Sequence, residues 1–198
     1  MKRDIKHLIS AADKALTRLT NPLHRKIAAN YRLHAMLEVS GRWEEIFAPD
    51  MTVDHPFYRV ASPQGLIELD GREQVQSFYK GLVETDTTVM ILDHEELVID
   101  DWGFASEALY NTYLTGEQAM ARGAAGAQLG KKYIEQRWVC MIWPYDAKGR
   151  MIGERVYPAP TVELVECPDE DFLTVEDAHR EFGPLIRQAQ DELRDSSG

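Results

Sequence analysis

Cysteine is nearly absent from this sequence: its 198 residues hold two, Cys140 and Cys167. Neither sits in a CxxC pair or a zinc spacing, and two do not make a disulfide framework. Cys140 falls in an apolar run and reads as a small buried hydrophobe. A reducing, cytoplasmic setting is the expectation. Long apolar runs are missing too. No stretch approaches the ~20 apolar residues of a membrane-spanning helix, and the basic start Met1–Lys6 leads into no apolar segment of the kind a secretory signal needs. Basic residues are in deficit, 22 Lys and Arg against 33 Asp and Glu, which gives a net charge of −11. That argues against nucleic acid as a partner, because such affinity rests on neutralising phosphates, and against anionic membrane surfaces. There is no GxSxG, P-loop or GxGxxG, so serine-hydrolase, nucleotidase and dinucleotide-binding readings have no motif. His34, His55 and His94 lack HExxH or close-ligand spacing, so no metal is expected. No cofactor is expected either.

What is present suits one well-buried domain with additional terminal elements. Ile5, Leu8, Ile9, Ala12, Leu16 and Leu19 recur at helical spacing. Asn21-Pro22 ends that helix and caps the next, with Pro at the first helical position. The second helix runs to about Val39. Tyr31, His34 and Glu38 share one of its faces, which is either solvated or lines a pocket. Arg42–Phe47 reads as a short helix leading into a strand at Met51–His55, the stretch around which the chain is organised. Pro56 fits the end of that strand. Asp54 and His55 leave it on opposite faces.

Residues 57–69 read as a loop or hairpin through Ser62-Pro63-Gln64-Gly65, with β-like flanks. Asp70-Gly71-Arg72-Glu73 is a capping pattern. Val75, Phe78, Tyr79, Leu82 and Val83 then give the clearest amphipathic helix. From Thr87 the period changes to two. Thr87–Ile99, Phe104–Leu114, Tyr133–Trp143 and Met151–Tyr157 read as four long strands, with turns at Asp100–Gly103 and Asp146–Gly149. Thr115–Gly130, rich in glycine and alanine, is long for a hairpin connection. It is a mobile lid, a short helix or a disordered tip. An acidic linker from Cys167 leads to a last helical region, capped by Thr174 and interrupted at Gly183-Pro184. The expected fold class is α+β: a cone-shaped, strongly curved antiparallel sheet wrapped on helices. The expected divisions are an N-terminal extension at 1–22, the domain at 23–165, and a linker with helical tail at 166–198.

Residues 46–56, the Asp70–Glu73 cap, Phe78-Tyr79 and the closing Gly149–Tyr157 segment resemble the nuclear transport factor 2-like (NTF2-like) superfamily. That group includes ketosteroid isomerases, SnoaL-type polyketide cyclases, limonene epoxide hydrolase and scytalone dehydratase. The segment Tyr31–Pro56 is most similar to ketosteroid isomerase. The resemblance implies Tyr31 as donor to a developing oxyanion and His55 as proton-moving base, although that family has aspartate at the His55 position. Asp54 and His34 are further catalytic candidates. Glu135 is a candidate for the second oxyanion acid, with Met141 near the register. Phe57, Phe78, Tyr110, Glu135 and Trp138 are candidate substrate-binding residues. The implied activity is a cofactor-independent dehydratase, cyclase or isomerase acting on a small hydrophobic carbonyl or hydroxyl compound. A non-catalytic binding domain of the same fold is the alternative. Val139, Met141 and Trp143 alternate with Trp138, Cys140 and Ile142, so the late sheet is apolar on both faces. A homodimer through its outer face is expected.

Overall fold

The computed structural model describes residues 2–62 and 65–195. Pro63 and Gln64, the centre of the expected loop or hairpin, lie outside the described residues. Short 3-10 turns cover Ile5–Ile9, Trp43–Phe47 and Asp169–Asp171. The helices are α1 (Ser10–Arg18), α2 (Pro22–Val39), α3 (Arg72–Glu84), α4 (Gly116–Ala121) and α5 (Val175–Asp195). The strands are β1 (Phe57–Ser62), β2 (Gly65–Asp70), β3 (Met90–Asp100), β4 (Gly103–Thr115), β5 (Lys132–Pro144), β6 (Arg155–Pro158) and β7 (Glu163–Glu166). They form one curled sheet in the order β2-β1-β6-β5-β4-β3, with β7 also paired to β5. All pairs are antiparallel except β1 with β6. No helix among the described residues is long and apolar enough to cross a membrane.

α2 forms where Asn21 Oδ1 accepts from the Leu23 and His24 amides and Pro22 opens the first turn. Its buried Asn30 fastens two distant loops, donating from Nδ2 to Met51 O at 2.8 Å and to Gly149 O at 3.2 Å. Between those loops the expected strand at Met51–His55 is reduced to a single parallel bridge, Thr52 with Met151. Thr52 Oγ1 turns back to Ile46 O, and Asp54-His55 form a bend. The Met151–Tyr157 strand is shortened to β6. Its break is Gly153, where a Cβ would fall 1.8 Å from Phe57 O. Only glycine allows the β1 backbone that close.

The cap of α3 also differs from expectation. Gly71 is the N-cap, with no side-chain bond. The Asp70 carboxylate is engaged by His55 instead. Thr115–Gly130 holds a true helix, α4, with a Thr115/Gln118 capping box. Gln118 Nε2 ties it to the Thr85 and Asp86 carbonyls, and Ala119 packs on Leu114 and Tyr133. α5 runs unbroken through Pro184. The terminal segments do not stand apart: Ile5, Leu8, Ile9, Leu173, Ala178, Phe182 and Ile186 join the central core. Cys140 is exposed, because its alternation on β5 faces outward while Val139, Met141 and Trp143 are buried.

Candidate active site

The α2 face carrying Tyr31, His34 and Glu38 points into the cone. Tyr31 packs tilted against Phe104 and edge-on against Trp143, and His34 meets Trp143 edge-on at 4.7 Å. These contacts fix both rings. A cavity of about 30 Å³ lies there, lined by Leu8, Tyr31, Glu38, Tyr110, Met141 and Trp143 among others. That is about the share of one water molecule in liquid.

Two polar groups stand behind its wall and reach it through Glu38 and Tyr31. In the first, Tyr79 of α3 donates to Glu154 Oε1 at 2.7 Å. His34 Nε2 reaches the same hydroxyl at 2.9 Å, and Tyr58 of β1 reaches it at 3.1 Å. His34 Nε2 also lies 3.4 Å from Glu154 Oε1 and 3.8 Å from Glu38 Oε2. Tyr79 spends its hydrogen on Glu154. The network therefore assigns the Nε2–H tautomer to His34 and leaves Nδ1 a buried lone pair with no partner among the described residues. Burial raises the Glu38 and Glu154 pKa values well above the carboxylate range, and for Glu154 the charge of Glu38 adds to it. With those carboxyls protonated, no anion holds a proton on the imidazole. Burial drives the His34 pKa down to about 3. A neutral base and proton-bearing acids thus share one interior site, the arrangement that separates acid and base roles.

The second group is Tyr31 and Glu95. The Tyr31 hydroxyl donates to Glu95 Oε1 at 2.7 Å. Burial raises the Glu95 pKa to about 7, against the lowering effect of that bond. Alternation along β3 alone does not put Glu95 inside. Met90 and Leu92 line the cavity, so odd positions begin on the other face. A bulge between Asp93 and Glu96, with His94 at φ 53°, switches the parity. Bulges commonly re-aim side chains beside functional sites.

The remaining candidates are scattered. His55 sits outside, its side chain 73% exposed and Nε2 2.7 Å from Asp70 Oδ1. The expected inward histidine is His34 instead, because the Asp54-His55 segment is a bend and Asp70 holds the ring at the surface. Asp54 is also exposed, 3.9 Å from Arg72 Nη2. His94 stacks on Trp138, which is 43% exposed on the outer sheet face, not in the pocket. Tyr110 does line the cavity. Phe57 and Phe78 are half-buried beyond it. Glu135 is buried on the inner alternation of β5, but pairs with Arg122 and Arg137 rather than Tyr31. Met141 lines the cavity and accepts from the Tyr110 hydroxyl at Sδ.

No protein-family model matches the sequence, and no curated protein matches it. Solved structures do. The chain is similar to a protein from Jannaschia sp. CCS1 described as a SnoaL-like polyketide cyclase, with TM-score 0.52 and 10% identity over 71% of this chain and 90% of that one. It is also similar to Bal32a from a soil-derived mobile gene cassette, with TM-score 0.49 and 14% identity over 70% and 92%. A third is SalBIII, an epoxide hydrolase/cyclase-like enzyme in pyran ring formation of salinomycin, with TM-score 0.46 and 12% identity over 73% and 95%. At such identities the likeness is one of fold. The curled sheet closed over α2 and α3 has the NTF2-like architecture.

Proposed function

We propose that the chain is a cofactor-independent enzyme of the dehydratase, cyclase or isomerase type. It does general acid–base chemistry on a neutral hydrophobic carbonyl or hydroxyl compound. The observation that carries this reading is the neutral His34 held 3.4 Å from the high-pKa carboxyl of Glu154, at a cavity lined by Glu38 and Tyr31. Glu38 is the group at the cavity wall. When ionised it takes a proton from carbon or hydroxyl, with His34, Tyr79 and Glu154 behind it as the proton store. Tyr31 acts on the substrate oxygen. When Glu95 is protonated, its own hydrogen can go to the Tyr31 oxygen, which frees the phenol to donate to developing charge. The cavity lining contains no lysine or arginine, which favours an uncharged substrate. His55 stays outside this assignment.

The test is incorporation of deuterium from D₂O, and loss of water, in a panel of hydrophobic ketones and β-hydroxyketones, read by mass spectrometry. Glu38→Gln and Tyr31→Phe each slow turnover roughly 10²-fold or more while circular dichroism stays unchanged. His55→Ala stays within about twofold. A His55→Ala loss with Glu38→Gln unaffected would overturn the assignment. The small cavity, about 30 Å³, favours a second reading, a non-catalytic binding domain. In that case a ligand found by native mass spectrometry is returned unchanged.

A further inference from the structure

A second pocket lies apart from the cavity just described. It has a structural cause: β6 is only four residues long and ends level with β1, whereas β5 continues past it. In register, Val139 of β5 faces Pro158, the last residue of β6. Arg137 therefore lies beyond the end of the short strand. Across the notch stand Ala61 and Ser62 at the end of β1. Pro158, Ala159 and Pro160 form its floor, and the whole encloses about 210 Å³.

Its walls offer almost no hydrogen bonding. The two prolines have no N–H. The Ala159 amide is spent on Trp138 O, and the Ser62 hydroxyl hydrogen on Gly65 O. Arg137 is the one charged group in the lining. Its Nε is buried and has no hydrogen-bond partner among the described residues. Its only ion-pair partner among the described residues is Glu135, whose Oε1 is 3.9 Å from Arg137 Nη2 and also receives Arg122 Nη1 at 3.4 Å. One carboxylate thus serves two guanidinium groups. The trio carries one uncompensated positive charge inside a chain of net charge −11. The Nε is closed to solvent, but the Arg137 side chain keeps 24% of its surface exposed, so a planar oxyanion in the notch can bond the outer edge of the guanidinium.

We propose that this notch binds a small aliphatic carboxylate, its oxygens on Arg137 and its short apolar chain against Ala61, Pro158 and Pro160. The apolar walls set the class. An inorganic phosphate would leave most of its oxygens against proline and alanine, unpaired, whereas a C3–C5 acid matches both ends.

The probe is butyrate, titrated by calorimetry into the full-length protein, with butyramide as the uncharged isostere and phosphate as the competing anion. Butyrate binds, and butyramide and phosphate bind about tenfold more weakly or not at all. Arg137→Gln weakens butyrate at least about tenfold, and Arg137→Lys, which keeps charge but loses the fork, falls between. Glu135→Gln removes the competing carboxylate and tightens binding. Amide shifts in NMR spectra fall on Ala61 and Ala159. Absence of butyrate binding to the parent, equal binding of butyramide, or an Arg137→Gln protein that binds like the parent each overturns the proposal. Phosphate binding tighter than butyrate does so too. If Arg137→Gln does not fold, the Glu135→Gln and butyramide comparisons still decide. These readouts are of binding, so their failure leaves the interior acid–base reading untouched, and the reverse holds.

Discussion

His34 Nε2 and Glu154 Oε1 stand 3.4 Å apart, yet they are not an ion pair of the usual kind. Burial holds the imidazole neutral and the carboxyl protonated. The pair joins α2 to the residue just before β6, positions 120 residues apart in the chain. Tyr79 from α3 bonds both partners. The three elements that close the cone are therefore fastened by groups whose protonation can change.

This has a pH signature. Glu38, Glu95 and Glu154 have folded pKa values raised above their unfolded ones, to about 7 for Glu95. Between the unfolded carboxylate pKa and the raised one, the folded state binds more protons, so stability falls as pH rises. His34 has a lowered folded pKa, and its effect runs the other way, but only below its unfolded value near 6.5. Above pH 6.5 the carboxyls act alone. The melting temperature should fall between pH 6.5 and 8.5, and Glu154→Gln should flatten that fall. A parent protein whose melting temperature is level or rises over that interval contradicts the burial of protonated carboxyls.

Much of this was legible beforehand, and the gaps have physical causes. The helical wheel put Tyr31, His34 and Glu38 on one face, because an eighteen-residue helix preserves its period. The paired long strands were visible in their alternation. His55 faces outward because Met51–His55, β-favouring in composition, makes only one bridge, at Thr52, and Asp70 draws the histidine to the surface. Glu95 was hidden by the bulge at His94, since one inserted residue reverses inside and outside. Tyr79 and Glu154 were in view, but as markers of the fold. Only the folded structure shows that one hydroxyl joins them, across α3 and the residue before β6.

Access to the cavity turns on the N-terminal segment. Leu8, 3% exposed, forms part of its wall from the 3-10 turn that packs along β3. Arg3 Nη2 fastens that turn to Asp93 Oδ2 at 2.6 Å. Leu8→Ala should cost about 2–5 kcal/mol through lost burial and an enlarged void. The same void should admit a small apolar guest, so saturating benzene should raise the melting temperature of Leu8→Ala and not of the parent. No difference between the two would show that Leu8 does not bound the cavity.

The last prediction concerns the outer sheet face. Trp138, Cys140 and Ile142 point outward from β5, with Tyr157 of β6 directly opposite Cys140 and Val98 of β3 two-thirds exposed nearby in the sheet. The inner alternation is already covered: Val139, Met141 and Trp143 are each at most 5% exposed. No helix among the described residues covers the outer one in the same way, and large exposed side chains along a long strand favour self-association. We propose a homodimer through this face, for which roughly 800 Å² per subunit is the usual requirement. Trp138 sits mid-strand, so Trp138→Glu places a charge against its own copy across the seam and should give a monomer. Light scattering at micromolar concentration reads the mass directly. Cys140 supplies an independent readout, because its thiol would be shielded in the dimer and should react faster with a thiol reagent in Trp138→Glu. A parent protein that is monomeric by scattering, with Cys140 equally reactive in both forms, removes the homodimer.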